Sequence, residues 1–417
     1  MQKAFPDSEG LTHTTTGREF GSFFYMLKKK LLKFYKTTII HDIIKSNKKV
    51  SRHRSCKLKI IHCADIHADS QMGTHYTKEQ AEERRKEIVD SFARMVKYAN
   101  DNSIKVIIIA GDLFDTKDTQ QKRLKQRLGY IIEQNPDIDF LYLRGNHDED
   151  VNFLIDKDVP NLKRFKKNKW QKYSYENIDI YGQEFGKTIQ TSTYNDLTLD
   201  STHVNILVMH GQIAEYQPKD GAPVISLPKF TNKNIDYIAL GHIHEYKKEK
   251  LDQRCSWCYP GCLEGRGFDE AGKKGFVVLD INDNKIETEF ISVATRTIHQ
   301  VDVNITGLLT YDEIMNSISQ KISDISSDDI VEVLLTGEVS EDSDIETDSY
   351  QSVFATNYYL IRIKDKTEAK INYDKYENDV SLKGEFIRLV KEQNDLTDEE
   401  KAKVIITGIK ALAGRLN

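Results

Sequence analysis

The chain has 417 residues, room for two or three domains with at least one sizeable core. Its formal net charge of −5 excludes a globally basic surface, and five cysteines without regular spacing exclude a disulfide scaffold and point to a reducing compartment, the cytoplasm. No apolar run reaches the ~18 residues of a membrane span, and no stretch reads as a secretory signal.

Charge is uneven along the chain. Residues 1–56 carry 12 Lys and Arg against 4 Asp and Glu, which leaves −13 on the rest. This stretch reads as a basic, disordered extension, or as upstream sequence translated ahead of a start such as Met26. A basic amphipathic helix within it is the alternative. Any nucleic-acid surface must then be a local groove.

From residue 57 the pattern changes. An apolar run over 57–63 predicts a strand leading into Ala64-Asp65-Ile66-His67. Ile88, Phe92, Met95, Val96 and Ala99 recur at helical spacing and predict a helix over 78–100. Val106 to Ala110 is wholly apolar. It reads as a buried parallel strand and runs into Gly111-Asp112-Leu113-Phe114-Asp115. A helix over 123–134, a turn at Asn135-Pro136-Asp137 and a strand over 140–143 follow, the last leading into Arg144-Gly145-Asn146-His147-Asp148. This alternation implies right-handed parallel connections. Short strands are expected at 178–182, 205–209, 237–240, 257–260 and 275–281. His210-Gly211 and Gly241-His242-Ile243-His244 close two of them. The architecture implied for 57–295 is an α/β fold, a four-layer α/β/β/α sandwich.

A smaller module over 296–370 reads strand 297–303, helix 311–322, strand 330–335, acidic loop, strand 358–363. The loop, 338–348, holds six carboxylates and reads as solvated, because it lacks the Gly and the ligand spacing of a calcium loop. Residues 371–417 read as two helices. Leu382, Phe386, Leu389 and Val390 stripe the first, and Val404, Ile405, Ile409 and Leu412 the second, as a core or a docking surface.

The chemistry lies at the strand ends. Asp65, His67, Asp112, Asn146, His210, His242 and His244 comprise two carboxylates, one amide and four imidazoles. That mix suits Mn²⁺, Fe²⁺ or Zn²⁺ better than Mg²⁺ or Ca²⁺. Seven ligands exceed one open site and suit two with a shared carboxylate. On an extended segment residues two apart share a side, so Asp65/His67 and His242/His244 each reach one metal or split across two. Two cations ~3.5–4 Å apart suit attack of water on a phosphoester. No Ser or Cys nucleophile motif stands out. His147 follows Asn146 and so lies near the metals, to stabilise the transition state or to protonate the leaving oxygen, with Asp148 to orient it; these two are the catalytic candidates. Cys255-Ser256-Trp257-Cys258 lacks a second pair and reads as structural. Trp257, Tyr259 and Phe268 read as core aromatics. Arg266 and Lys273-Lys274 are candidates for phosphate contacts.

The motif order D-x-H (65–67), G-D-x-x-D (111–115), G-N-H-D (145–148), H-G (210–211) and G-H-x-H (241–244) resembles the calcineurin-like metallophosphoesterase superfamily. The resemblance implies one metal on Asp65, His67, Asp112 and His244, and a second on Asp112, Asn146, His210 and His242. The GDLFDT of 111–116 and the stretch from Tyr259-Pro260-Gly261 to Ile281 resemble SbcD-type DNA-repair exonucleases more narrowly. That likeness implies a DNA substrate, two divalent ions with Mn²⁺ first among them, and a capping domain over 296–370. It also implies a helical segment over 371–417 that grips an SbcC-like coiled-coil ATPase, and it leaves room for a homodimer. Two departures stand out. Ala68-Asp69 replaces the common Leu-Gly, and position 115 is Asp where archaeal and eukaryotic relatives carry His. A phosphoesterase for small or cyclic nucleotides shares every ligand and is the alternative. A scaffold without activity is the third reading.

Overall fold

The computed structural model describes residues 57–412 apart from 74, 116–121, 149–158, 187, 215–220, 341–342 and 377. The expectations for residues 1–56 lie outside the described residues.

Two six-stranded sheets form the centre. Their elements run β1 (Lys57–Cys63), α1 (Lys78–Asp101), β2 (Val106–Ala110), α2 (Lys122–Glu133), β3 (Asp139–Leu143) and β4 (Leu162–Arg164). Then come β5 (Gln171–Tyr175), β6 (Ile178–Gly182), α3 (Thr191–Asn195) and β7 (Val204–His210), followed by β8 (Gln212–Ile213) and β9 (Val224–Ile225), which pair with each other outside the two sheets. β10 (Tyr237–Gly241), β11 (Lys247–Lys250), β12 (Ser256–Tyr259), β13 (Gly275–Asn282) and β14 (Lys285–Ser292) complete them. The first sheet has the order β14-β13-β1-β2-β3-β4, the second β11-β12-β10-β7-β6-β5. β1 to β4 are parallel, as are β6, β7, β10 and β12.

Strand alternation explains the layers. Ile61, Cys63, Ile107, Ile109 and Phe140 point to one face, where α1 and α2 cover them with Ile88, Phe92, Met95, Leu128 and Ile132. The other face of β1 meets the second sheet. There His62 sits fully buried, 3.1 Å from the Tyr237 hydroxyl and 3.2 Å from the Leu240 carbonyl. Burial pushes its imidazole down to about 3, so it is a neutral bridge between the sheets. The outer face of the second sheet has thin cover. Tyr194 of α3, Leu227 and Phe230 pack on Leu207, Met209, Ile238 and Leu240. α1 starts at a capping box in which Thr77 and Gln80 satisfy each other's backbone N–H groups. A cap of this kind is worth about 1 kcal/mol.

The four edge strands of the two sheets, β4, β5, β11 and β14, escape the sequence pattern. β5 and β11 are edge strands, and β11 is exposed at every residue. Such charge on an edge blocks further pairing and hides the strand from a hydrophobicity reading. β4 and β14, neither with a fully buried residue, edge the first sheet.

The rest of the chain adds β15 (Ile298–Asn304), α4 (Tyr311–Ile322), β16 (Ile330–Thr336), β17 (Glu338–Ser340), α5 (Thr347–Phe354), β18 (Leu360–Asp365) and β19 (Glu368–Lys370). β15, β16 and β18 form a parallel sheet. Its core holds Val303, Val331, Val333, Leu335, Ile361 and Ile363 under Ile314, Ile318, Tyr350 and Phe354. The acidic loop is partly structured. Glu338 pairs with Lys370 as β17 joins β19, and Asp348 stands in the first turn of α5.

α6 (Tyr373–Tyr376), α7 (Leu382–Lys391) and α8 (Asp398–Leu412) close the described chain. Their core is Tyr376, Ile387, Val390, Ile405 and Ile409. The two predicted stripes split: Leu382, Leu389, Val404 and Leu412 stand in solvent, at 72%, 53%, 40% and 48% exposure.

Candidate metal centre

Five parallel strands end at one place. Asp65 and His67 follow β1, Asp112 follows β2, and Asn146 and His147 follow β3. His210 is the last residue of β7, and His242 and His244 follow β10. The loops after β1 and β2 run side by side, because the Asp65, His67 and Ala68 amides donate to the Gly111, Asp112 and Leu113 carbonyls at 3.0 Å each.

The first of these segments is not extended, contrary to expectation. Asp65, His67 and Asp112 have φ of 52°, 46° and 51°, and His242 has 109°. Side chains other than Gly rarely adopt such values, which cluster at functional sites. The turns swing each ligand inward. Two glycines make room. A Cβ on Gly111, itself at φ 102°, would strike His210, and one on Gly145 would strike Asp112.

Donor atoms converge. Single ligand atoms of Asp65, His67 and His244 lie within 4.8 Å of one another, as do those of Asp65, Asp112 and His210. His67 Nε2 faces His244 Nε2 at 3.2 Å. His210 Nε2 lies 2.9 Å from Asn146 Oδ1 and 3.3 Å from Asp112 Oδ2. The His210 and His242 rings are 5.6 Å apart. All seven candidates are therefore in one neighbourhood, with Asp112 between the two halves.

The hydrogen bonds say what the pocket accepts. His210 Nδ1 donates to the Ala110 carbonyl at 2.9 Å, which turns its Nε2 lone pair toward two oxygen acceptors. His244 Nδ1 donates to Glu270 at 2.7 Å, which turns its Nε2 lone pair toward His67. Lone pairs facing lone pairs are reconciled by cations, and the residues fit divalent metal ions. Electrostatics agree. Burial pushes the Asp65 carboxyl up to about 6, against the pull of His244 and His210. Burial also works against ionisation of Asp112, yet His210 and His67 hold it well below the usual carboxylate range. Burial lowers His210, but Asp112 and Asp65 reverse this and raise it to about 10, so with no cation bound a proton on Nε2 takes the place a metal ion would fill. The two buried carboxylates favour positive charge in the pocket.

Asp148 does not orient His147. Its carboxylate is buried and accepts from the Leu113, Phe114 and Gly145 amides at 3.1, 2.9 and 3.1 Å, bracing the loops after β2 and β3. The partner of His147 is Asp115, whose Oδ1 is 3.0 Å from Nδ1. That bond raises the imidazole to about 9. Asp115 Oδ1 also lies 3.4 Å from His67 Nδ1, and Oδ2 accepts from Ser70 at 2.9 Å. The Asp115 amide donates to Asp69 Oδ1 at 2.6 Å, and Asp69 pairs with Lys125 at 2.9 Å. Asp69 and Asp115, the two departures from the family pattern, thus meet. Position 115 was visible in G-D-x-x-D, but no signal along the chain pairs it with His147.

Other expectations change. Lys274 is buried and donates to the His244 carbonyl at 2.9 Å, so it is no free phosphate contact. Cys255 and Cys258 are buried free thiols. An odd spacing along the strand sends them to opposite faces, and burial pushes the Cys258 thiol up to about 11. They form neither a metal pair nor a redox pair.

Comparison with known proteins fits this geometry. The family described as calcineurin-like phosphoesterase matches residues 58–246. The DNA double-strand break repair protein Mre11 of Sulfolobus acidocaldarius is 24% identical over 395 residues, covering 86% of this chain and 99% of that protein. The Mre11 of Methanosarcina acetivorans is 25% identical over 284 residues, 64% of this chain and 44% of that one. A metallophosphoesterase of Bacillus subtilis, YhaO, is 28% identical over 255 residues, 56% of this chain and 60% of that one. The match thus spans nearly all of the first relative and about half of the other two. Among the described residues no helix is long and apolar enough to cross a membrane. With its candidate ligands gathered at the ends of five strands, the chain carries a calcineurin-like phosphoesterase domain at residues 58–246.

Proposed function

We propose that this protein is a Mn²⁺-dependent phosphodiesterase that cuts DNA at ends or breaks, in the manner of SbcD-type nucleases, together with a coiled-coil ATPase. The observation that carries the reading is the convergence of Asp65, His67, Asp112, Asn146, His210, His242 and His244 on one pocket. Asp65, His67, Asp112 and His244 would hold one ion, and Asp112, Asn146, His210 and His242 the other. When bound, two such ions lower the pKa of water and offset charge on phosphate oxygens. The chain's own residues do the rest. Asp112, held ionised, sits between the two ligand sets. Asp115 holds the half-exposed His147, kept protonated at neutral pH, where its Nε2 reaches a leaving oxygen and can give up a proton.

The named relatives support DNA as substrate, since two of them are described as double-strand break repair proteins. Leu382, Leu389, Val404 and Leu412, left in solvent by α7 and α8, support a docking surface for the ATPase. The test is digestion of linear duplex DNA by the purified chain with Mn²⁺, alone and with the ATPase, beside mononucleotide and cyclic-nucleotide esters. DNA cleavage lost in His147→Ala is expected. Turnover of small esters without DNA cleavage would replace this reading with that of a small-molecule phosphoesterase. Full ion binding without any hydrolysis would leave a scaffold.

A further inference from the structure

The segment between β12 and β13 supplies none of the seven ligands, yet it grips one. Glu270 Oε1 accepts from His244 Nδ1 at 2.7 Å. Arg266 fixes that carboxylate. Its backbone N–H donates to Glu270 Oε2 at 2.7 Å, and its Nε and Nη2 donate to Oε1 at 3.1 and 2.9 Å. Arg266 is thereby committed to the protein, and Ser70 and Asp115 lie 3.3 and 3.6 Å from its Nη1.

Phe268, two residues before Glu270, has different company. It is buried with Tyr76, Ile298 and Ile330, the last two from β15 and β16. The Arg362 guanidinium of β18 lies 3.7 Å from its ring centre, and the His75 ring 4.9 Å from it. Two residues after Glu270, the Gly272 amide donates to the Ile298 carbonyl at 2.8 Å. A turn closed by the Glu270 amide on the Gly267 carbonyl, 2.9 Å, stiffens the stretch. Residues 268–272 are therefore held at both ends by the small parallel sheet and in the middle by His244.

We propose that Glu270, braced by Arg266, is a positioning residue for His244, and that the β15–β16–β18 module sets its position through Phe268 and Arg362. The inference rests on reading His244 as a metal ligand. A carboxylate on Nδ1 fixes the tautomer and the rotation of the ring, and so the aim of Nε2 toward His67. Loss of such an outer partner typically costs about 10–100-fold in metal affinity. A shift of the small module moves Phe268, the stiff turn carries Glu270 with it, and the ring of His244 follows. Whatever binds the small module thus acts on ion binding more than 200 residues away from Asp65 in sequence by one short lever.

Calorimetric titration of the full chain with Mn²⁺ tests this. Glu270→Ala is expected to weaken one of two ions by about 10–100-fold and spare the other. Glu270→Gln, which keeps an acceptor oxygen for Nδ1–H, should restore most of that affinity. Arg362→Ala touches none of the seven ligands and leaves Glu332 paired with Lys364, 3.1 Å away. It should weaken the same ion several-fold, with no further loss in the Glu270→Ala/Arg362→Ala double variant. If His244→Ala loses an ion while both Glu270 variants bind normally, the positioning role is overturned. If His244→Ala loses none, the ligand reading beneath it fails instead. Additive losses in the double variant, or an Arg362→Ala chain that melts earlier with Mn²⁺ affinity intact, would overturn the link to the module.

Discussion

The two central sheets bring different chemistry to the same pocket. The first supplies the candidate oxygen ligands Asp65, Asp112 and Asn146 together with His67, and it holds three of the four left-handed candidates. The second supplies only imidazoles, His210, His242 and His244, and only His242 is left-handed. The carboxylates and most of the backbone strain sit on one side, imidazoles on the other. Each side needs its opposite. His210 is aimed by the Ala110 carbonyl of the first sheet, and the His242 amide donates to both Asp65 oxygens at 2.9 Å. The pocket therefore exists only when the sheets are joined, and its strain is retained because both sheets constrain it.

The largest effect should come from the side that carries the charge. Asp112→Asn is expected to bring bound Mn²⁺ below two ions and to cut DNA hydrolysis on the order of 10³-fold or more, about 4 kcal/mol, with circular dichroism unchanged. Two ions retained at full affinity would show that the histidines of the second sheet suffice. His147→Ala should follow, with hydrolysis lowered by about 10²–10⁴-fold and both ions kept in calorimetry. An ion lost in that variant would recast His147 as a ligand.

A smaller effect separates two residues of the first sheet by pH. Burial raises the Asp65 carboxyl to about 6 and lowers His67 to about 4, so between pH 7 and 5 a proton competes with the cation at Asp65 and not at His67. Mn²⁺ affinity should hold above pH 7 and fall below 6, by up to about tenfold per pH unit for one displaced proton. A flat affinity from pH 7 to 5 would mean that Asp65 is ionised throughout. The smallest effect on the pocket belongs to the far end of the chain. Leu389→Asp lies on an exposed face, so the melting transition should move by less than about 0.5 kcal/mol and Mn²⁺ binding not at all. Co-sedimentation with the ATPase should be lost, and undiminished association would remove α7 from the docking surface.

The strand ends were legible because each candidate ligand closely follows or ends a short apolar run, and a buried parallel strand must deliver its next residues to the carboxyl edge of the sheet. β2, all apolar from Val106 to Ala110 and buried throughout, is the clearest case. The helix over 78–101, expected over 78–100, was equally plain from its spacing. What stayed hidden lies in pairings across distance or through irregular backbone. Asp115, not Asp148, holds His147, although Asp148 is its neighbour in the chain. Glu270 meets His244 from 26 residues away. Leu389 faces water while Val390 beside it is buried. Periodicity reports which residues leave water, and that much the amino-acid order dictated. Which carboxylate meets which imidazole depends on left-handed turns at Asp65, His67 and Asp112 and on the contact between two sheets, and only the packed chain decided those.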